Sequence, residues 1–105
     1  MQNYTQKAKD VLARAKDAAG TLGNGYIGTE HILLGLTLVQ DSVAAKALES
    51  QNVTYHQVME RISEMHTAEK KHIAAANYTP RANRVIEESS QEAARMGAEF
   101  VGTEH

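Results

Sequence analysis

Apolar residues recur along this 105-residue chain at spacings of three and four and never alternate, the pattern of amphipathic helices rather than of strands. Val11, Leu12, Ala15, Ala19 and Leu22 mark one face of a first helix. It begins after Thr5, whose hydroxyl can accept from first-turn N–H groups, and Gly23 suits the left-handed residue that closes it. A short loop anchored by Tyr26 and Ile27 follows. Thr29 then predicts the cap of a second helix, Glu30 to about Val39. Its Ile32, Leu33, Leu34, Leu36 and Leu38 make it the most buried element. Asp41-Ser42 interrupts the pattern and caps a third helix, Val43 to about Ser50. Thr54 and Gln57 have capping-box spacing and open a fourth from Tyr55, with Val58, Met59, Ile62 and Met65 as its apolar face and fraying near Lys70. The stretch His66–Asn77 mixes charges with Ala-Ala-Ala, and its latter part reads as a linker. A fifth helix is expected near Pro80–Met96, capped by Thr79, with Pro80 where no donor is needed and Gly97 at its close. The predicted core is Tyr26, Ile27, Ile32, Leu33, Leu36, Val58 and Ile62.

The pattern repeats. A shift of 74 residues aligns Tyr4–His31 with Tyr78–His105 without a gap, and 10 of the 28 positions are identical, including a closing Gly-Thr-Glu-His. Others are conservative, among them Leu12/Ile86, Leu22/Met96, Tyr26/Phe100 and Ile27/Val101. The chain is therefore one all-α domain built by tandem duplication, with a first copy at about 4–77 and a partial second copy at about 78–105. The offset implies roughly 40 further residues to complete that copy. Without them, Val85, Ile86 and Met96 are expected to lack part of their cover, so that residues 80–105 pack against a neighbouring molecule or stay poorly ordered, with self-association as one outcome. Glu104, without the helix it should start, is expected to be a weak or non-functional site.

Composition narrows the function. Sixteen Ala, one Pro and no Trp favour helix. A net charge of −2 excludes a broad electrostatic grip on nucleic acid. The absence of Cys removes thiolate metal sites, thiol nucleophiles and disulfides. No apolar run approaches the ~20 residues of a membrane span, and the polar start is no signal peptide; a cytoplasmic location without membrane partners is the expectation. His56, His66 and His72 do not share a helix face. Glu69-Lys70-Lys71-His72 carries only one of the two Glu-x-x-His motifs a di-iron bundle needs, and no nucleophile elbow or phosphate-binding Gly-Lys-Ser/Thr is present. No metal and no catalytic residue is assigned.

Gly-Thr-Glu-His has a structural reading in which Gly makes the turn, Thr caps and Glu complements the helix dipole. It also has a functional one. A carboxylate retained in both copies can grip a guanidinium bidentately, and a neighbouring helix N-terminus can receive an anion. A site with both suits a ligand cationic at one end and anionic at the other.

Tyr-Thr-x-x-Ala, Gly-Thr-Glu-His-Ile-Leu-Leu-Gly-Leu, Ala-Ala-Lys-Ala-Leu, Tyr-Thr-Pro-Arg-Ala and the second Gly-Thr-Glu-His together resemble the Clp N-terminal (Clp repeat) domain over about Tyr4–His105. The likeness is strongest to the ClpC type, in which both copies carry Gly-Thr-Glu-His. The resemblance implies a helical tandem-repeat bundle, its second repeat incomplete here, that docks protein substrates and adaptors for a hexameric AAA+ unfoldase working with a Clp peptidase in protein degradation and stress response. ATP and Mg would belong to ATPase modules of the parent protein, with no cofactor in this domain. It further implies phosphoarginine recognition, one pocket per repeat, with Glu30 and Glu104 on the guanidinium and Thr5 and Thr79 at the helix starts facing the phosphate. The alternative is a ClpB-like disaggregase domain that holds unfolded polypeptide by apolar contacts alone.

Overall fold

The computed structural model describes residues 3–65 and 77–105. Within them the order is β1 (Asn3–Tyr4), α1 (Gln6–Thr21), β2 (Tyr26–Ile27), α2 (Thr29–Leu38), α3 (Val43–Ser50), α4 (Tyr55–Met65), β3 (Asn77–Tyr78), α5 (Pro80–Arg95) and β4 (Phe100–Val101). Helices dominate, as the periodicity predicts. The expected fraying near Lys70 and the linker fall outside the described residues.

The helix ends follow local chemistry. Thr5 Oγ1 accepts from the Ala8 N–H and Thr79 Oγ1 from the Ala82 N–H, both at 3.1 Å. Gly23 and Gly97 take φ of 74° and 73°, a region costly for residues with a Cβ. Ser42 caps α3 through the Ala45 N–H, and Thr54 and Gln57 exchange the two bonds of their box at 3.2 and 3.4 Å. At α2 the expectation needs correction. The cap is Gly28, and Thr29 is the first helical residue. The imidazole of His31, three residues on, takes the Gly28 N–H, and the His31 N–H that a cap hydroxyl would take goes to the Gly28 carbonyl instead.

The short strands are an addition to the all-α plan, since two residues are too few to show alternation. β1 pairs in parallel with β4, Tyr4 opposite Val101, and β2 with β3, Ile27 opposite Tyr78. The 74-residue offset carries one pairing onto the other. Each copy therefore lays its Asn-Tyr beside the aromatic-aliphatic pair of its counterpart. The Thr5 N–H donates to Val101 O at 2.8 Å and the Thr79 N–H to Ile27 O at 2.9 Å. The two copies interlock as a pseudo-twofold pair.

α2 lies at the centre. On one side Val11, Ala15 and Ala19 of α1 pack with Ile27, Ile32, Val39 and Ala82; on the other Leu34 packs with Val58 and Ile62 of α4. Gly35 lets α1 and α2 approach closely: a Cβ there would lie 2.5 Å from the Val11 carbonyl oxygen. Three core expectations are corrected. Tyr26 is 61% exposed because neighbouring strand residues point to opposite faces, and Ile27 takes the inward one at 1%. Leu33 and Leu36 are half-buried, while Leu34, at 1%, is the inward residue. At ~100° per residue, successive apolar positions cannot all face one side.

Residues 80–105 fold within the chain rather than only against a neighbour. Ala82, Ala93 and Val101 are buried, anchored by the strand pairing. Their cover is nonetheless partial. The buried stripe of α1 is Ala8, Val11, Ala15 and Ala19; its counterpart on α5 is Ala82, Val85, Ser89 and Ala93, of which only the two alanines are buried. Val11 is 3% exposed and Val85 41%. The uncovered positions correspond to those on which Gly35 of α2 rests in the first copy.

Candidate functional site

Both Gly-Thr-Glu-His motifs adopt the same turn. His31 Nδ1 accepts from the Gly28 N–H at 2.8 Å, and His105 Nδ1 from the Gly102 N–H at 2.9 Å. The backbone closes the other half of each box, His31 N–H to Gly28 O at 3.1 Å and His105 N–H to Gly102 O at 3.2 Å. The second motif thus forms its turn even though only Thr103 and Glu104 are in turn conformation there. An imidazole nitrogen that accepts carries no proton, so in the neutral ring Nε2 is the protonated atom. For His31 that atom lies 2.9 Å from Asn24 Nδ2, and it donates to this side chain when the amide presents its oxygen to the ring. The histidines are the residues for which the sequence offered no structural role; the Gly-x-x-His spacing, repeated in both copies, is the signal that could have found it.

The glutamates fold back over this turn. The Glu30 carboxylate occupies the space a Gly28 Cβ would need, and the Glu104 carboxylate does the same at Gly102. Glu30 Oε1 lies 3.4 Å from His31 Nδ1, and Glu104 Oε1 lies 4.0 Å from His105 Nδ1. Because each Nδ1 is already an acceptor, neither approach is an ion pair while the ring is neutral. Among the described residues the Lys and Arg side chains that pair with carboxylates do so at Asp41, Glu64 and Glu92, not at Glu30 or Glu104. The Glu30 side chain is 24% exposed and that of Glu104 44%. Two repeat-related carboxylates are therefore partly sheltered, open to solvent and without a Lys or Arg partner among those residues.

The strand exchange decides what lies beside each carboxylate. Thr79, at the start of α5, donates to Ile27, the residue before Gly28; Thr5, at the start of α1, donates to Val101, the residue before Gly102. The structure thus brings Thr79 to the Glu30 motif and Thr5 to the Glu104 motif, so each motif adjoins the helix start of the other copy. Thr103 adds a tie: its hydroxyl accepts the Ala44 N–H of α3 at 3.2 Å.

A cavity of about 260 Å³ adjoins the second motif. Val85, Ile86 and Ser89 of α5 line it with Leu12, Ile32 and Leu36, and it occupies the place that α2 fills on α1. Tyr78, half-buried, has its phenol pushed above the ordinary range by burial and then by neighbouring Tyr4. His56 is exposed, and Glu69, His66 and His72 lie outside the described residues, among which no three metal-binding side chains gather. No helix among them is long and apolar enough to cross a membrane.

The family described as the Clp repeat (R) N-terminal domain matches residues 3–105. This chain belongs to that family. It is 45% identical over 101 residues to the ATP-dependent Clp protease ATP-binding subunit ClpC of Staphylococcus aureus strain USA300, covering 96% of this chain and 12% of that protein. It is 41% identical over 102 residues to the chaperone protein ClpB of Oceanobacillus iheyensis, covering 97% of this chain and 13% of that protein. The chain thus spans about an eighth of the curated relatives it matches. Among solved structures, the N-terminal domain of the chaperone ClpD from Arabidopsis thaliana superposes with a TM-score of 0.79 at 19% identity, covering 98% of this chain and 71% of that one. That likeness shows the fold.

Proposed function

We propose that this Clp repeat domain recognises protein substrates and adaptors for an ATP-driven Clp unfoldase, and that it does so by binding phosphorylated arginine. Glu30 with the Thr79 helix start forms one pocket, and Glu104 with the Thr5 helix start forms the other. The observation that carries this reading is the twofold occurrence of a carboxylate without a Lys or Arg partner among the described residues, on a motif that adjoins the threonine-capped start of a 16-residue helix. A carboxylate offers two acceptors to a guanidinium, and a helix N-terminus offers backbone N–H groups and positive potential to a phosphoryl group. Phosphoarginine joins those two groups in one side chain. The names of the relatives, an ATP-binding subunit of an ATP-dependent Clp protease and a chaperone, support the wider setting of ATP-driven Clp work. A cytoplasmic hexamer with ATP and Mg in other modules and a Clp peptidase as partner belongs to the same proposal.

Calorimetric titration with free phosphoarginine tests the reading, with arginine and inorganic phosphate as separate controls. Glu30→Ala and Glu104→Ala are each expected to remove one site, and Lys at either position to be worse through repulsion. Unchanged affinity in both variants refutes it. The apolar cavity and the exposed Val85, Met96 and Phe100 favour a second reading, in which the domain holds unfolded polypeptide by apolar contacts. Polypeptide binding that ignores Glu30 and Glu104 would support that one instead.

A further inference from the structure

Gly28 has φ −96° and ψ 176°, extended backbone that any residue adopts, and Gly102 is not among the positive-φ glycines. Neither position needs glycine for its conformation. What a side chain would meet is the glutamate two residues on: the three heavy atoms nearest an added Cβ belong to Glu30 at the first position and to Glu104 at the second. The glycine is room for the carboxylate. The histidine completes the arrangement, since its Nδ1 holds the Gly28 or Gly102 N–H and fixes the turn on which the carboxylate rests. His31 is 1% exposed and its ring nitrogens are engaged on both sides, so this support is rigid.

We propose that Gly28 and His31, and likewise Gly102 and His105, are positioning residues that pre-set the guanidinium-binding carboxylates of Glu30 and Glu104. This rests on the phosphoarginine reading above. A carboxylate stowed over its own turn loses little freedom when a guanidinium arrives, whereas one displaced into solvent must be immobilised at the moment of binding. The glycine therefore acts on affinity through the glutamate, not through the backbone.

The experiment is a phosphoarginine titration in a Glu104→Gln background, which leaves the first site to be read. Gly28→Ala should keep the helical circular dichroism of its parent and bind about ten-fold more weakly, the cost of ordering a displaced charged side chain. His31→Leu should weaken binding similarly. His31→Gln should restore it, because Gln at the third helical position can also accept the cap N–H; a merely space-filling histidine would be rescued by Leu instead. If His31→Leu does not fold, Gly28→Ala decides. Parent-like affinity in folded Gly28→Ala overturns the inference while a loss in Glu30→Ala upholds the site. Parent-like affinity in Glu30→Ala removes the site and the inference together.

Discussion

Replacing Glu30 by Gln together with Thr5 by Ala is expected to abolish phosphoarginine binding, whereas Glu30→Gln with Thr79→Ala is expected to leave one site intact. Thr79 is bonded to Ile27, beside the Glu30 motif, and Thr5 to Val101, beside the Glu104 motif, so in the proposed function Glu30 and Thr79 serve one ligand while Glu104 and Thr5 serve the other. A hydrogen bond to a charged group contributes about 1.5–3 kcal/mol, which weakens a site roughly ten- to 150-fold when lost. That is enough to take the damaged site out of a calorimetric titration while the other saturates normally. Each Thr→Ala change also removes a helix cap at about 1 kcal/mol, a fraction of the margin of a small domain, and circular dichroism checks that the variants stay folded. Stoichiometry is the readout: two sites in the parent, one in either single variant, one in Glu30→Gln with Thr79→Ala, none in Glu30→Gln with Thr5→Ala. The reverse assignment of one and none, the result expected of self-contained copies, would refute the crossed arrangement.

Gly35→Ala should destabilise the domain despite the better helix former, because overpacking costs about 1–3 kcal/mol and the obstructing atom is the Val11 carbonyl oxygen; Gly25→Ala, with nothing within 4 Å, should be near neutral, and equal urea midpoints for the two would contradict this. Leu34→Ala should cost about 2–5 kcal/mol, since Leu34 is 1% exposed, and more than Leu33→Ala at a half-buried position; the opposite order in denaturant unfolding would reverse the assignment of the inner face of α2. Glu92 titrates below the usual carboxylate range, first through its hydrogen bond from Arg95 and then through the charges of Arg95 and His105. Its folded value lies below its unfolded one, so the small stabilisation is present above the unfolded value and is lost as pH falls through the folded one. NMR titration of Arg95→Gln should show Glu92 moving up, and an unmoved value would remove the pairing as its cause.

Helix placement was legible because capping chemistry is local. Thr5, Ser42, Thr54 and Thr79 act within three residues of themselves, and the ends they mark fall where the sequence puts them. What was not legible depends on distant partners. Nothing in Tyr26-Ile27 announces that Asn77-Tyr78 will lie beside it, so the outward turn of Tyr26 could not be read. Nor does the Ile32-Leu33-Leu34 run reveal which residue faces α4. The same limit held at the site: Glu30, Glu104, Thr5 and Thr79 were visible as residues, but their crossing follows from the strand exchange. The role of His31 was hidden for a different reason, since an imidazole closing a capping box is less familiar than Glu or Gln, and its spacing was read only as the end of a motif.

The duplication itself separates what the fold tolerates from what the site needs. Some larger apolar positions drift between copies, as Leu12/Ile86 and Ile27/Val101 do, because exchanges of equal volume or of a single methylene cost little. Identity persists at the small apolar positions Ala8/Ala82, Val11/Val85 and Ala19/Ala93, at the helix-closing Gly23/Gly97, and at the two seams, in Tyr4/Tyr78, Thr5/Thr79 and the whole of Gly-Thr-Glu-His. Most of that persistence has a structural cause: Thr5 and Thr79 cap helices, His31 and His105 hold a backbone N–H, and Gly28 and Gly102 leave space for a carboxylate. Glu30 and Glu104 are different. Among the charged groups of the described residues each approaches an imidazole nitrogen already engaged as an acceptor, and Asp would complement the helix dipole as well as Glu. A side chain kept identical in both copies, given room by its own glycine and without a Lys or Arg partner among the described residues, has the form that the proposed guanidinium contact requires.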